Sequence, residues 1–304
     1  MSNGLNERFD LTMIVTYQNQ DHISDFLTSI NGNTNVKLFV ILLNQETEFR
    51  FDQNRFNNKI ITIGMTKSGL SKARNIGIEY LKKNDVKCEY IMFPDDDSTF
   101  DETFFINFST IKDSGKNFLT PIYISGTQKL YLGKPCEDGR KIKENDHSLI
   151  GSPNQIINFE RNKKDILFNE QLGAGTPLGS CEDYDLFLRL SRKGEGYYFT
   201  NKLYNYHPKK TDAYKGIGLQ IILRRINSYS SGFCYIIFRY HKYGFIPNYL
   251  FRTLAASAYF ILKFNFKLGT AYLVQFFFRL TLIIRFGSRL FSSPVGILAK
   301  LTAR

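Results

Sequence analysis

Four short apolar runs, interleaved with helical spacing, constrain this chain more than any other feature. They are Leu11–Thr16 (LTMIVT), Val36–Leu43 (VKLFVILL), Lys59–Ile63 (KIITI) and Tyr90–Phe93 (YIMF). Each has the length of a strand, and their near-continuous apolar character fits strands buried on both faces. Between the first two, Ile23, Phe26, Leu27 and Ile30 fall at i, i+3, i+4 and i+7, one stripe of a helix. Between the third and fourth, Leu70, Ala73, Gly77, Tyr80 and Leu81 mark a second amphipathic helix. Such alternation implies βαβ units and a three-layer α/β fold around a mostly parallel sheet. Ligands bind these sheets beyond the carboxyl ends of the strands. That rule points at Thr16-Tyr17-Gln18, Asn44-Gln45 and Asp95-Asp96-Asp97.

Composition matters chiefly through where the charge lies. Of the 40 Lys and Arg, thirteen fall between Tyr214 and Arg304, where there is no Asp or Glu. The first 213 residues are left with 27 basic side chains against all 28 acidic ones, so the net +12 belongs to the tail. Such a step predicts a domain of residues 1–213 followed by a basic extension, residues 214–304. The 43% hydrophobic and 22% charged content is that of a globular chain and excludes a disordered one. Cys88, Cys136, Cys181 and Cys234 are scattered without a CxxC pair, which argues for reduced, mostly buried thiols of a cytosolic protein. Residues 1–10 contain no apolar core of a signal peptide.

Two acidic constellations carry candidate chemistry. Phe93-Pro94-Asp95-Asp96-Asp97 sets three carboxylates after an apolar strand. In extended geometry Asp95 and Asp97 point to one side and can share a hard cation, Mg²⁺ or Mn²⁺, together with diphosphate oxygens. The competing reading is a solvated turn, or an N-cap for a helix around Glu102–Phe108. Further on, the glycine-rich run Gly173-Ala174-Gly175-Thr176-Pro177-Leu178-Gly179-Ser180 precedes Cys181-Glu182-Asp183 and a helix through Leu186 and Leu190. Asp183 can serve as a general base. Glu182 and Asp183 also suit a first helical turn for dipole reasons alone.

Taken in order, these segments from Leu11 to His207 resemble an inverting glycosyltransferase of family 2, with the GT-A fold. Val15-Thr16-Tyr17-Gln18-Asn19 resembles the family's opening strand and nucleotide-binding turn. Ser68-Gly69-Leu70-Ser71-Lys72-Ala73-Arg74-Asn75-Ile76-Gly77 is similar to its G-x-S-x-A-R-N-x-G segment, which implies Arg74 and Asn75 near the nucleotide. Asp95-Asp96-Asp97 resembles the D-x-D metal motif, and Glu182-Asp183-Tyr184-Asp185-Leu186…Arg189 the E-D-x-D-L-x-x-R helix. Tyr206-His207-Pro208 resembles the late Y-x-H turn, whose histidine reaches the metal or the diphosphate. The resemblance implies donor contacts at Thr16, Tyr17, Asn44, Arg74, Asn75, Asp95 and Asp96. It implies an acceptor loop at Gly173, Ala174 and Gly175, a metal held by Asp97, Asp95 and His207, and catalysis by Asp183 with Glu182. Lys209 and Lys210 are either diphosphate neutralisers or a solvated basic turn.

Two departures stand out. The family's second strand usually ends in an acidic residue that contacts the base, whereas here Asn44 offers both a donor and an acceptor. Cys181 occupies a place where glycine is common. The implied donor is a UDP-sugar by family weight, with dTDP- and GDP-sugars open. A nucleotidyltransferase and a non-catalytic nucleotide-binding membrane subunit remain alternatives. The first normally needs a glycine-rich phosphate loop, and Thr16-Tyr17-Gln18-Asn19-Gln20 has no glycine.

The tail alternates aromatic and aliphatic stretches of about a dozen residues with Lys and Arg. These are shorter than the ~18–20 residues a spanning helix needs. Read as one helix, Asn248–Lys267 gathers Arg252, Lys263 and Lys267 on one side beside a broad apolar face, which suits an anionic membrane surface. A packed helical extension or homo-oligomer interface is the alternative, and nucleic acid is not an expected partner. The expected setting is the inner face of the cell membrane, with a saccharide acceptor on a polyprenyl diphosphate, as in capsule or O-antigen assembly.

Overall fold

The computed structural model describes residues 7–18, 20–45, 56–132, 134, 136–194, 196–209, 214 and 216–289. The expectations for Asn19, Lys210 and residues 290–304 fall outside this set. The described chain divides into two compact units: residues up to 169 together with 183–210, and residues 170–182 together with those from 211 onward.

The first unit has the expected α/β architecture with a mostly parallel sheet. Strands β1 (Arg8–Tyr17), β2 (Leu38–Asn44), β3 (Lys59–Gly64) and β4 (Lys87–Met92) are all parallel. Beyond β4 lie β5 (Asn117–Leu119), β7 (Gln155–Asn158) and β8 (Tyr197–Phe199), giving the seven-stranded order β3-β2-β1-β4-β7-β5-β8. Only β7 runs against its neighbours, β4 and β5. A separate two-stranded sheet pairs β6 (Ile122–Ile124) with β9 (Asn205–His207).

Helices α1 (Gln20–Asn31) and α2 (Leu70–Lys83) cover the sheet as their stripes require, and Ile23, Phe26, Leu27 and Ile30 are all buried. Strand boundaries shift by a few residues for local reasons. β2 starts at Leu38 rather than Val36 because the Asn33 carboxamide takes the amides of Asn35 and Val36, each at 3.1 Å. β4 ends at Met92, two residues short of Pro94, which cannot donate to a ladder. Helices α3 (Glu102–Ile111), α4 (Phe159–Asn162) and α5 (Glu182–Arg192) complete this part of the chain. The chain leaves β1 toward β2 on one side and sets β4 on the other. This topological switch opens a crevice at the carboxyl ends of β1 and β4.

The second unit contains α6 (Leu219–Arg239), α7 (Ile246–Leu262) and α8 (Phe266–Arg289). Cys234, Ile237, Tyr249 and Leu282 form one core cluster, and Ile222, Ile226 and Ala271 another. Asn248–Lys267 is not one helix. The chain reverses at Lys263–Asn265, where Phe264 takes a φ of 56° and Asn265 N–H donates back to Phe260 O at 2.8 Å. Asn265 then caps α8, its Oδ1 accepting from Leu268 N at 3.2 Å. Arg252 and Lys267 consequently sit on different helices.

By length and composition Phe266–Ser288 of α8 is long and apolar enough to cross a membrane, with a mean hydropathy of 1.3 over an 18-residue window. The shorter stretches expected from the sequence are interrupted on paper by Arg279, which the fold turns inward. Its Nε donates to Ser230 Oγ at 3.1 Å, its Nη1 donates to Tyr249 O, and its guanidinium stacks on the Tyr249 ring at 4.1 Å.

Candidate active site

The acidic triplet lies at the switch point. Asp95 makes a parallel bridge to Thr16, at the end of β1, and Tyr17 is in register with Asn44, the last residue of β2. The triplet is not extended. Ser98 N–H donates to Asp95 O at 3.1 Å, so a turn, not the pleat of a strand, brings the Asp95 and Asp97 carboxylates together. Nor does the triplet cap α3. That role belongs to Asp101, whose Oδ1 accepts from Phe104 N at 3.0 Å.

His207 reaches the triplet through β9. Thr99 and Tyr206 exchange both backbone hydrogen bonds at 2.9 Å, and β9 pairs with β6, which sets the next residue, His207, beside Asp97. The His207 Nδ1–H donates to Pro208 O at 2.8 Å. Its Nε2 is left facing Asp97 Oδ1 at 3.0 Å and Asp95 Oδ2 at 3.9 Å. A nitrogen lone pair cannot rest that close to a carboxylate without positive charge, either a proton on Nε2 or a bound cation. Asp95, Asp97 and His207 each offer one ligand atom, all within 4.8 Å of one another. Two carboxylates and an imidazole oriented through its other nitrogen form a donor set that fits Mn²⁺ or Mg²⁺.

Electrostatics follow the crowding. Burial, then the Asp97 and Asp95 charges, push the half-buried Asp96 carboxyl up to about 6. Burial also tends to raise Asp97, but the hydrogen bond and charge of His207 outweigh it and hold that carboxyl below its ordinary value. Burial tends to lower His207, and Asp97, Pro208 O and Asp95 together raise it. Beside Asp97 a cleft of about 480 Å³ opens between His22, Asp25 and Ser29 of α1 and the Thr99 and Ser125 segments.

Arg74 is 1% exposed, an unusual place for a guanidinium. Its Nη2 donates to Ser152 Oγ at 2.8 Å and lies 3.6 Å from Asp95 Oδ1, with the Phe168 ring beneath it at 5.4 Å. Asn75 brackets the Phe168 backbone, its Oδ1 accepting from Phe168 N at 2.8 Å and its Nδ2 donating to Phe168 O at 3.0 Å. Its carboxamide therefore builds the platform under Arg74. Tyr17 is 1% exposed and belongs to the core, so its ring is not displayed to a ligand. Asn44 is buried too, whereas the neighbouring Gln18 and Gln45 carboxamides pair at 3.2 Å on the exposed rim. Thr16 Oγ1 is buried and has no protein hydrogen-bond partner.

Asp183 stands in the first turn of α5, half-buried, its Oδ1 accepting from Tyr184 N at 2.7 Å. Gln155 Nε2 donates to Asp183 O at 3.2 Å. Because β7 runs antiparallel to β4, Gln155 lies at the edge where β4 ends, and so ties Asp183 to the same edge of the sheet as the triplet. Ser152 and Gln155 thus link Arg74 and Asp183 to one short segment, and sequence reasoning missed both. The only signal was a polar turn before Ile156-Ile157. Asp185 is a buried clamp: it accepts from Arg189 Nε at 2.9 Å, and Arg189 donates to the carbonyls of Asp165 and Leu167, each at 2.7 Å.

Glu170–Glu182 belongs to the second unit, so Gly173, Ala174, Gly175 and the buried Glu182 are grouped apart from Asp183. Gly173 and Gly175 have φ of 98° and 82°, which glycine adopts without strain. Cys181 has a φ of 68°, a conformation that favours glycine, so the non-glycine residue seen there in the sequence sits in a strained backbone position. Within this unit the loop is seated on α6. Ser180 Oγ donates to Tyr229 O at 2.9 Å and Ser228 Oγ to Thr176 O at 3.3 Å. A Cβ on Gly232 would collide with Ser180 O, and one on Gly179 with Ser228 Oγ. Lys209 is exposed.

No protein-family model matches the chain, and no curated protein matches it. Among solved structures it is similar to S. aureus TarS, at 15% identity over 75% of this chain and 43% of that one, with a TM-score of 0.48. It is similar to TarS 1-349 in complex with UDP at 16% identity over 91% of this chain and 92% of that one, with a TM-score of 0.47. For TarS 1-349 in complex with UDP-GlcNAc the values are 15%, 86%, 91% and 0.46. The chain spans less than half the length of the full TarS chain it matches.

Proposed function

We propose that this chain is an inverting glycosyltransferase of the hexosyltransferase class. It moves a sugar from a nucleoside diphosphate, with UDP-sugars the leading donors, to a hydroxyl of a lipid-linked saccharide. The observation that carries this reading is the Asp95, Asp97 and His207 cluster at the switch point of a parallel sheet. These three residues would hold a divalent Mn²⁺ or Mg²⁺ ion, which when bound supplies Lewis-acid stabilisation of a departing diphosphate.

The chain's own residues do the rest. Arg74, anchored by Ser152 and Phe168, holds the Asp95 carboxylate in place. Asp183 accepts the proton of the acceptor hydroxyl at its carboxylate. The acceptor oxygen bonds to the anomeric carbon as the bond from that carbon to the diphosphate oxygen breaks, with inversion. Base recognition falls to the exposed Gln18–Gln45 pair rather than to the buried Asn44, and the carboxamides leave both uracil and thymine acceptable. The loop around Gly173–Gly175 receives the acceptor. Residues 1–213 carry the chemistry, and residues 214–304 hold the enzyme on the cytoplasmic face of the membrane, in a capsule or O-antigen type of assembly. A tail without acidic residues and with exposed apolar side chains supports that placement.

Release of nucleoside diphosphate from UDP-, dTDP- and GDP-sugars, with and without Mn²⁺, tests the reading. One donor should turn over only with the ion, and Asp97→Ala should lose both turnover and ion dependence. An Asp97→Ala enzyme still stimulated by Mn²⁺ would remove the metal assignment. Failure of every donor to bind by calorimetry would leave a non-catalytic membrane subunit as the better reading.

A further inference from the structure

The α7–α8 hairpin ends in a tip unlike a soluble turn. All seven residues from Ile261 to Lys267 are exposed. Leu262 is 78% exposed, Phe264 84% and Phe266 60%. Ordinary turns favour Gly, which accepts positive φ, and Asn, Asp or Ser, which hydrogen-bond their own backbone, whereas an exposed apolar side chain gains nothing from folding. Here Phe264 even adopts the left-handed conformation that a bulky residue normally avoids, at a φ of 56°.

The arms behind the tip are tied together. Ser257 Oγ donates to Gly269 O at 2.8 Å in a buried bond, and Phe260 and Tyr272 stack with centroids 5.4 Å apart. A Cβ on Gly269 would press into Ile261, so the helices meet at close range just below the turn. The three apolar residues are therefore displayed on a braced support. Lys263 and Lys267 flank them, Lys267 also donating to Ile217 O at 2.6 Å. No Asp or Glu follows residue 213 to offset these charges.

We infer that this tip is an insertion wedge for an anionic lipid bilayer. Leu262, Phe264 and Phe266 enter the headgroup–acyl boundary, and Lys263 and Lys267 meet lipid phosphates. The inference rests on the membrane reading proposed above and narrows it to five residues. Burial to about 5–10 Å suits an interfacial element. It also keeps Arg279 out of the bilayer, since thirteen residues of α8 separate it from Phe266, roughly 20 Å at the helical rise. A second copy of the chain is the competing occupant, but two such tips would bring four lysines together with no carboxylate from the tail to receive them.

The chain has no tryptophan, so a single Phe264→Trp substitution reports on the tip alone. Ile106→Trp, at a 44% exposed site on α3 in the first unit, is the control. The full-length protein is mixed with phosphatidylglycerol or phosphatidylcholine vesicles, and emission, quenching by a soluble quencher and co-sedimentation are read together. The expected result is a blue shift and protection for Phe264→Trp with phosphatidylglycerol only, and no change for Ile106→Trp. Lys263→Gln and Lys267→Gln should each weaken vesicle partition roughly fivefold. Co-sedimentation without a change at Phe264→Trp would overturn the wedge and leave the membrane reading standing. Absence of co-sedimentation would overturn both. A blue shift without lipid that follows self-association in light scattering would assign the tip to a second copy instead.

Discussion

The two units differ in where they place their functional-looking polar groups and their largest exposed apolar side chains. In the first, apolar side chains fill the space around a fully buried β2, and charge collects at one edge of the sheet, where Asp95, Asp97 and His207 meet. In the second, a small polar network is enclosed beside the apolar clusters of the helices. Ser230, Gln275 and Arg279 bond to one another and to backbone among α6, α7 and α8, and burial lowers the Arg279 guanidinium below its ordinary value. Leu262, Phe264, Phe266, Phe277 and Ile284 face outward. The difference teaches that hydrophobic content says little about a surface until the partner solvent is known. One unit gathers carboxylates and an imidazole at a sheet edge, and the other displays large apolar side chains on its helices.

The largest effect that can test this contrast lies in the first unit. Asp183→Asn should lower transfer by about 10²–10⁴-fold while donor affinity, read by calorimetry, stays within about twofold. An equal loss of donor affinity would place Asp183 in the donor site. The next effect asks whether the second unit shares in catalysis. Gly232→Val drives a side chain into Ser180 O, and should cost about 1–3 kcal/mol of stability. It should also reduce transfer to the acceptor more than donor hydrolysis, in kinetics below the melting temperature. Parallel loss of both rates would make the loop contact a matter of folding alone.

The smallest effect compares the cores. Burial raises the thiols of Cys88 and Cys234 to about 12, so both stay protonated near neutral pH and should resist alkylation in the native state. Cys136 and Cys181 are only half-buried and should be modified first. Rapid labelling of Cys234, read by peptide mass spectrometry, would mean that the helical unit opens more readily than the sheet.

Much of the sheet was legible because strands buried on both faces must be continuously apolar, and helices lying on them must carry a stripe. The acidic triplet was legible for a related reason: topology sends ligands to strand ends. The support behind it was not. Nothing in a linear reading distinguishes Asn75 as a ligand contact from Asn75 as a bracket on Phe168, ninety-three positions away. Asp185 and Arg189 look like one more helical charge pair, and only the path of Asp165–Leu167 makes them a clamp. In the tail, an unbroken helical pattern hid the reversal at Lys263–Asn265. Phe264 carries none of the usual signals of a turn.

By itself the sequence determined the kind of layers this protein has, the edge of the sheet where its acidic residues gather, and the segregation of positive charge beyond residue 213. Those properties follow from local periodicity and composition, which each segment expresses alone. The tertiary structure decided that His207 meets Asp97, that Arg74 is buried against Asp95, that the Glu170–Glu182 loop sits on α6, and that a hairpin tip displays Phe264. These depend on distances between residues remote in the chain. Only packing sets such distances, because the free energy of each contact includes the desolvation and ordering of partners that sequence position does not specify.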